Sequence, residues 1–310
     1  MSTAGRSSKL LIGPGDDAAG WVPAAPTVLV STDTLVEGVD FEKARQSPYE
    51  VGLKAWGSSA SDLAAMGGEV EFGLVAAVLP PETALAAVEA IQLGLVEAAA
   101  RDGASIAGGD ISAANGPLVL TVTVLGSVPD GRPVTISGGC EGDVLLLTGE
   151  LGAAAGTLEG WRQGDPAVPA GWRSRLVAPT ARIAEGRALR RAGATAMTDL
   201  SDGLLLDAAR IAAASGAAVE LWADCLPFAA GLRERFGDGS VQLAVAGGED
   251  YELLASLPTE AVDRVLQEWP PGLAPLRRVG RLGPGGGVRL LESEGGLELR
   301  VGGRLGYQHY

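Results

Sequence analysis

VGLKAWGSSASDLAAMGGEVEFGLVAAVLPPETALAAVEAIQLGLVEAAARDGASIAGGD, residues 51–110, changes its period three times, and those changes decide the fold. After Pro48 the pattern is helical: Val51, Ala55, the Ser58/Ser59 pair and Asp62–Met66 run without a breaker until Gly67-Gly68 closes the segment. Phe72–Leu79 is an apolar run of strand length. Pro81 then opens an Ala-rich helix over Glu82–Arg101, ended by Asp102-Gly103, and a short strand over Ser105–Ala107 stops at Gly108-Gly109-Asp110. Upstream, Thr27–Ser31 is a β-rich run that breaks at Thr32-Asp33-Thr34, so a strand delivers a polar tip. Downstream, Leu118–Val128 alternates like a half-buried strand. The order β, α, β, α, β, β predicts an α+β domain.

The stretch Ser137–Gly142 (SGGCEG) reads as a linker, which divides the 310 residues into an N-terminal domain, 1–137, and a C-terminal domain, 138–310. In the second, strand Val144–Thr148 precedes a helix starting near Gly149, and 160–179 is an ordered excursion with little periodicity. Ala181–Ala192 and Asp202–Ser215 are helical, with the short apolar Ala196–Leu200 between them. Strands are expected at Leu221, Val241–Ala246, Glu252–Leu257 and Arg277–Leu282, with a helix over Glu260–Trp269. This alternation predicts an α/β domain. No tandem repeat of 20 to 50 residues is present.

Scarce residues exclude whole classes of chemistry. The single histidine, His309, rules out a multi-histidine zinc site and leaves a Ser-His-Asp or Cys-His relay only if the terminus folds into the site. The three lysines, Lys9, Lys43 and Lys54, do not follow a phosphate-cradling Gly-rich loop, so a P-loop enzyme is excluded. Cys140 and Cys225 are too few for a four-thiolate metal site and read as reduced thiols, which suits the cytoplasm. A net charge of -14 opposes nucleic-acid and anionic membrane partners. Apolar runs fall far short of the roughly 20 residues that span a bilayer, and Met1–Leu11 lacks the apolar core of a signal peptide. An acidic chain that handles an anionic substrate needs something other than lysine to neutralise it, and a divalent cation is the natural choice.

Aspartates recur beside glycine or small hydroxyl residues at the ends of apolar segments: Asp16-Asp17, Asp33, Asp62, Asp110, and Asp199 with Asp202. Singly, each is an ordinary turn former or helix cap. Jointly they place like charges close together without a counter-charge nearby in sequence, the signature of hard oxygen ligands for Mg²⁺, whose common task is to hold nucleotide phosphates. Lys54, Ser58 and Asp62 share one helix face, either as a solvated stripe or with Asp62 aimed at metal and Lys54 at a phosphate or a structural carboxylate. Gly247-Gly248-Glu249-Asp250-Tyr251-Glu252 reads as a tight connection between two strands that exposes Glu249. Tyr307, near the terminus, belongs either to an exposed tail or to a ring that stacks on a heterocycle.

Six blocks, GPGDDAA (13–19), STDTLVEGVDF (31–41), KAWGSSASDLAAMGGE (54–69), GGDIS (108–112), TDLSDGL (198–204) and GGEDYELL (247–254), resemble in order those of the thiamine-monophosphate kinases. That family belongs to the ATP-binding superfamily of aminoimidazole ribonucleotide synthetase and selenophosphate synthetase. The resemblance implies an aminoimidazole ribonucleotide synthetase-like fold, with an N-terminal α+β domain that binds ATP and Mg²⁺ and pairs with its copy in a homodimer, followed by a C-terminal α/β domain. It implies transfer of the ATP γ-phosphoryl group to thiamine monophosphate. By the same resemblance Asp17, Ser31, Thr32, Asp33, Asp62, Asp110, Asp199 and Asp202 hold several Mg²⁺ ions, Gly109, Asp110 and Ser201 contact ATP, and Asp40, Glu249 and Tyr307 meet the acceptor, Tyr307 by stacking. Three positions depart from the family pattern: Asp40 stands where histidine is usual, Ile136 where a phosphate-binding arginine is usual, and Ser59 where asparagine is common. Asp40 and Ile136 favour, as an alternative, a relative acting on another small metabolite; a catalytically silent dimer that binds nucleotide or thiamine phosphates is a further alternative, against which the retained metal ligands argue.

Overall fold

The computed structural model describes residues 10–12, 18–129, 131–165, 167–299, 302 and 306. By internal contact these residues form two compact units, one drawn from Met1–Leu63, Gly68–Arg132 and Val177–Ile183, the other from Ala64–Gly67, Pro133–Leu176 and Ala184–Tyr310.

The first unit contains β1 (Leu10–Ile12), β2 (Gly20–Trp21), β3 (Thr27–Val36), α1 (Pro48–Ala65), β4 (Glu69–Leu79), α2 (Leu85–Arg101), β5 (Ser105–Ala113) and β6 (Val119–Val128). Four of the strands form one sheet in the order β3-β6-β4-β5. Strands β3 and β4 run antiparallel to β6, while β4 and β5 are parallel and joined by α2, as a parallel pair requires a crossover. The expected β, α, β, α, β, β order is present, but two strands are longer than the sequence suggested. Strand β3 continues through Thr32-Asp33-Thr34 because threonines pair across to β6, Thr32 Oγ1 to Thr123 Oγ1 at 2.9 Å and Thr34 Oγ1 to Thr121 Oγ1 at 2.8 Å. Strand β5 continues through Gly108-Gly109-Asp110 because glycine lets it close on β4; a Cβ at Gly109 would overlap the Val75 carbonyl.

Helix α1 is the centre of this unit. It starts with a capping box: Ser47 Oγ accepts the Glu50 N–H at 3.3 Å, and the Glu50 carboxylate accepts the Ser47 N–H at 2.8 Å. It ends in a Schellman turn in which Gly67 N–H bonds to Ala64 O and Gly68 N–H to Leu63 O, with Gly67 at φ 66°. Every residue from Val51 to Ser61 is buried, so this is a helix covered on all sides rather than an amphipathic one. Helix α2 crosses it at glycine: a Cβ on Gly52 would strike the Ile91 carbonyl, and one on Gly94 the Tyr49 carbonyl.

The second unit holds β7 (Val144–Thr148), α3 (Ala153–Arg162), α4 (Ala170–Val177), α5 (Ile183–Arg191), β8 (Ala196–Asp199), α6 (Leu204–Ser215), β9 (Ala218–Trp222), α7 (Leu232–Phe236), α8 (Gly239–Ala246), β10 (Leu253–Leu257), α9 (Thr259–Glu268), β11 (Leu276–Gly283) and β12 (Gly287–Leu291). Its six-stranded sheet runs β12-β9-β11-β7-β10-β8 and is mixed, with β12 and β9 parallel and the other neighbours antiparallel. Leu145, Leu147, Leu200, Leu204, Ile211, Val219, Leu254 and Val279 form its core. Two expectations need correction. Val241–Ala246 is helical, not a strand: a short apolar run bounded by glycine has no period that separates the two, and here Ala244 and Val245 pack inward as part of α8. The 160–179 excursion contains helix α4. Among the described residues no helix is long and apolar enough to cross a membrane.

Trp56, fully buried on α1, donates its indole N–H to Asp102 Oδ2 at 2.7 Å. Burial raises the Asp102 pKa, with the indole and Arg101 opposing. A carboxyl raised in the folded state favours folding least where it is ionised, so its unfavourable contribution grows as pH rises above the ordinary value of 3.8. Asp102→Asn keeps an oxygen for the indole and removes the charge. Thermal denaturation should find D102N at least as stable as the parent at pH 8, with the advantage shrinking as the pH is lowered toward 4; an advantage independent of pH removes charge burial as its cause.

Candidate functional site

Alternation along β3 sends Ser31 and Asp33 to the helix-covered side of the sheet and Thr32 and Thr34 to the other. On the covered side α1 brings up Asp62, whose Oδ2 accepts the Ser31 hydroxyl. Asp33 is pushed up to about 6, first by burial, then by the charges of Asp62 and Asp40. Asp62 is likewise raised by burial, and the Ser31 hydroxyl opposes the shift. Three aspartates thus share one region, and every influence resolved on Asp33 disfavours its charge.

Asp40 ends the turn after β3. Its carboxylate accepts the Val36 N–H at 2.7 Å, and its carbonyl accepts Lys54 Nζ at 2.7 Å. Lys54, buried on α1, therefore braces the backbone of that turn. Ser59, one turn along, donates to Ala55 O at 3.0 Å and Val122 O at 3.4 Å, helping to seat α1 on β6.

The sheet register separates Asp110 from this group. Asp110 pairs with Ala76, Ala76 with Thr121, and Thr121 with Thr34, a row on the open side of the sheet. Gly109 and Asp110 are exposed at the β5 edge. Thr32, with its hydroxyl on Thr123, also lies on the open side.

In the second unit, β8 ends at the buried Asp199, and the following loop leads into α6. Asp207, on the first turns of α6, reaches back to accept the N–H groups of Asp202 and Gly203, each at 3.1 Å. Arg210 donates to Asp207 Oδ1 at 2.6 Å and also pairs with Asp202. Burial lifts Asp207 to about 6; Arg210 opposes this and Asp202 adds to it. Sequence reading saw no counter-charge for Asp202 because Arg210 sits eight residues away; its i, i+3 spacing from Asp207 was the available signal.

The Gly247–Glu252 segment joins a helix to a strand, not two strands. Glu249 is half-buried and its N–H bonds to Ser201 O at 2.8 Å. Asp250 and Glu252, which the sequence did not single out as functional, are buried here. Ile136 packs against the core of this unit, so an apolar side chain suits the position. Asp17 and Tyr307 lie outside the described residues.

Seven of the eight predicted metal ligands thus fall into groups: Ser31, Asp33 and Asp62 on the covered side of the first sheet, Thr32 and Asp110 on its open side, and Asp199 and Asp202 in the second unit. Among the described residues no set of three His, Cys, Asp or Glu side chains is placed to hold a metal ion. The donor chemistry of Asp33 and Asp62 nevertheless fits Mg²⁺, which commonly takes one or two carboxylates and completes its shell with water and substrate phosphate.

Residues 15–128 match the family model AIR synthase related protein, N-terminal domain, and residues 141–291 match AIR synthase related protein, C-terminal domain, so fold and site define an AIR synthase-like two-domain protein. A thiamine-monophosphate kinase from Stenotrophomonas maltophilia K279a superposes with a TM-score of 0.82 at 36% identity, over 91% of each chain. AaThiL complexed with AMPPCP and TMP gives 0.80 at 30% identity, over 91% of this chain and 87% of that one. The thiamine-monophosphate kinase of Mycobacterium tuberculosis is 37% identical over 253 residues, which is 79% of this chain and 74% of the relative. The chain belongs to the thiamine-monophosphate kinase family.

Replacing Asp33 by Asn removes one of the repelling charges. A folded-state value near 6 against 3.8 means a penalty that develops between those pH values and persists above them, on the order of 3 kcal/mol. In chelator at pH 8, D33N should melt several degrees above the parent, and the gap should close toward pH 4; equal melting at pH 8 contradicts the assignment to Asp33 of a penalty from burial and neighbouring charge.

Proposed function

We propose that this chain transfers the γ-phosphoryl group of ATP to thiamine monophosphate, forming thiamine diphosphate, with Mg²⁺ held by its aspartates. The observation that carries the reading is the Asp33–Asp62 pair, kept together in a member of this kinase family although burial disfavours both charges and the charge of Asp62 further disfavours that of Asp33. Carboxylates in that condition are stabilised by a cation and are otherwise a liability.

The acceptor is a phosphate that is already ionised at neutral pH, so the reaction needs neither a covalent nucleophile nor a strong general base. The near absence of histidine is therefore no handicap. When bound, Mg²⁺ neutralises phosphate oxygens and stabilises charge on the transferring group. The protein's task is alignment of two anions. Ser31, Thr32, Asp33 and Asp62, with Asp17, Asp110, Asp199 and Asp202, hold the metal ions. Gly109, Asp110 and Ser201 take ATP; the exposed Gly109 lets the nucleotide approach the backbone closely. Glu249 attracts the cationic thiazolium and Tyr307 stacks on the thiamine. Asp40 faces the same acceptor, and its bond to the Val36 N–H gives it a fixed orientation.

Residues 1–137 act as the ATP, Mg²⁺ and dimerisation domain, and 138–310 as its companion. A homodimer is supported by the open side of the first sheet, where Val30 is 65% and Leu74 38% exposed in line with the threonine pairs. A second copy covering that face would meet Thr32 and Asp110. The free thiols of Cys140 and Cys225 suit a reducing cytoplasm.

ADP release should be measured with thiamine monophosphate, with thiamine and with no acceptor. Turnover is expected only with the monophosphate; turnover with a different acceptor selects a divergent relative, and ligand-induced stabilisation without turnover selects a silent binder. Asp62→Asn should lower Mg²⁺-dependent turnover by about two orders of magnitude or more while the protein stays folded. Unchanged turnover in D62N removes Asp62 from the metal site.

A further inference from the structure

The segment between α8 and β10 makes three demands on its backbone within four residues. Gly248, Glu249 and Tyr251 are all left-handed, at φ 71°, 58° and 50°. Glycine adopts this freely, but Glu249 and Tyr251 carry a Cβ and persist there only if their surroundings over-determine the conformation. On one side the constraint is main chain: Glu249 N–H bonds to Ser201 O at 2.8 Å, Tyr251 N–H to Leu200 O at 2.9 Å, and Leu200 N–H to Glu252 O at 2.8 Å. These bonds tie the segment to the loop that carries Ser201 and Asp202.

On the other side the constraint is a side chain. Asp250, between the two strained residues, accepts the Gly152 N–H at the start of α3, at 2.9 Å to one oxygen and 3.2 Å to the other. We propose that Asp250 is a positioning residue, its bond to Gly152 fixing Glu249 and Tyr251 in their left-handed conformations and so aiming the Glu249 carboxylate at the acceptor. The proposal rests on the reading of Glu249 as an acceptor-binding residue. Glu252 is the second anchor: fully buried, it accepts Thr148 Oγ1 at 2.7 Å and Arg175 Nη1 at 3.0 Å. The alternation of directions is what holds the segment: residues 250 and 252 turn into the β7–α3 connection, while the amides of 249 and 251 turn to the loop after β8. Burial holds the Asp250 carboxyl well above its ordinary range, so it serves as an acceptor without needing its charge. Asparagine should replace it, and alanine should not.

The test compares D250N and D250A in the full-length protein by amide hydrogen exchange and steady-state kinetics. D250N should keep protection at the Glu249 and Tyr251 amides, with KM for thiamine monophosphate within about twofold of the parent. D250A should lose protection at these amides by at least about tenfold and raise KM for thiamine monophosphate about tenfold, with KM for ATP moving less than about twofold. Should D250A fail to fold, D250S provides a truncation too short to reach Gly152. Unchanged protection in the truncated variant, or equal losses in D250N and D250A, overturns the proposal. E249A isolates the underlying reading: unchanged KM for thiamine monophosphate in that variant dismisses Glu249 as the acceptor contact, while a raised KM there beside an unaltered D250A dismisses only the positioning role.

Discussion

Keeping Asp33 and Asp62 beside each other under a helix is the constraint on which the first unit is built. Both carboxyls are lifted by burial, and the charges resolved around Asp33 are acidic. Such an arrangement holds only on a rigid frame, and α1 supplies it. The helix is capped by reciprocal Ser47–Glu50 bonds, ended by Gly67, buried along its central turns and seated on β6 through Ser59. The stability of α1 offsets the cost of bringing Asp62 up to Asp33 on β3.

The acidic groups of the chain therefore sort into two physical kinds. Asp202, Asp207, Asp250 and Glu252 have their charge or their lone pairs met within the protein, by Arg210, Arg175, backbone N–H groups and Thr148. Asp33 and Asp62 have a single serine hydroxyl resolved between them. The first kind shapes loops; the second kind keeps most of the cost of its burial. Asp202 belongs on geometry to the first, paired with the exposed Arg210, whereas the family resemblance implies a metal role for it.

The fold was largely readable because its central helices and strands are long, periodic and punctuated by glycine and proline. What escaped reading had local causes. Thr32-Asp33-Thr34 looks like a strand end until the threonines of β6 are set opposite, a partner 90 residues away that no window contains. Val241–Ala246 is too short for its period to declare itself. The candidate residues were legible as a set of aspartates beside small residues, yet their distribution over two faces of one sheet follows from strand parity and register, which the motif spacing does not encode. Arg210 escaped because it does not neighbour Asp202 in sequence; the helix that follows brings it back from two turns along.

The crossing of α1 and α2 restricts how this protein can change over generations. At Gly52 and Gly94 each helix meets the other's carbonyl oxygens directly, so no side chain lies between them to be exchanged for a larger or smaller one. Either glycine is blocked from drifting alone. Asp62 of α1 is therefore held beside Ser31 and Asp33 of β3 with the help of two residues that bear no functional group, and a change at either is tolerated only if the opposing backbone gives way with it.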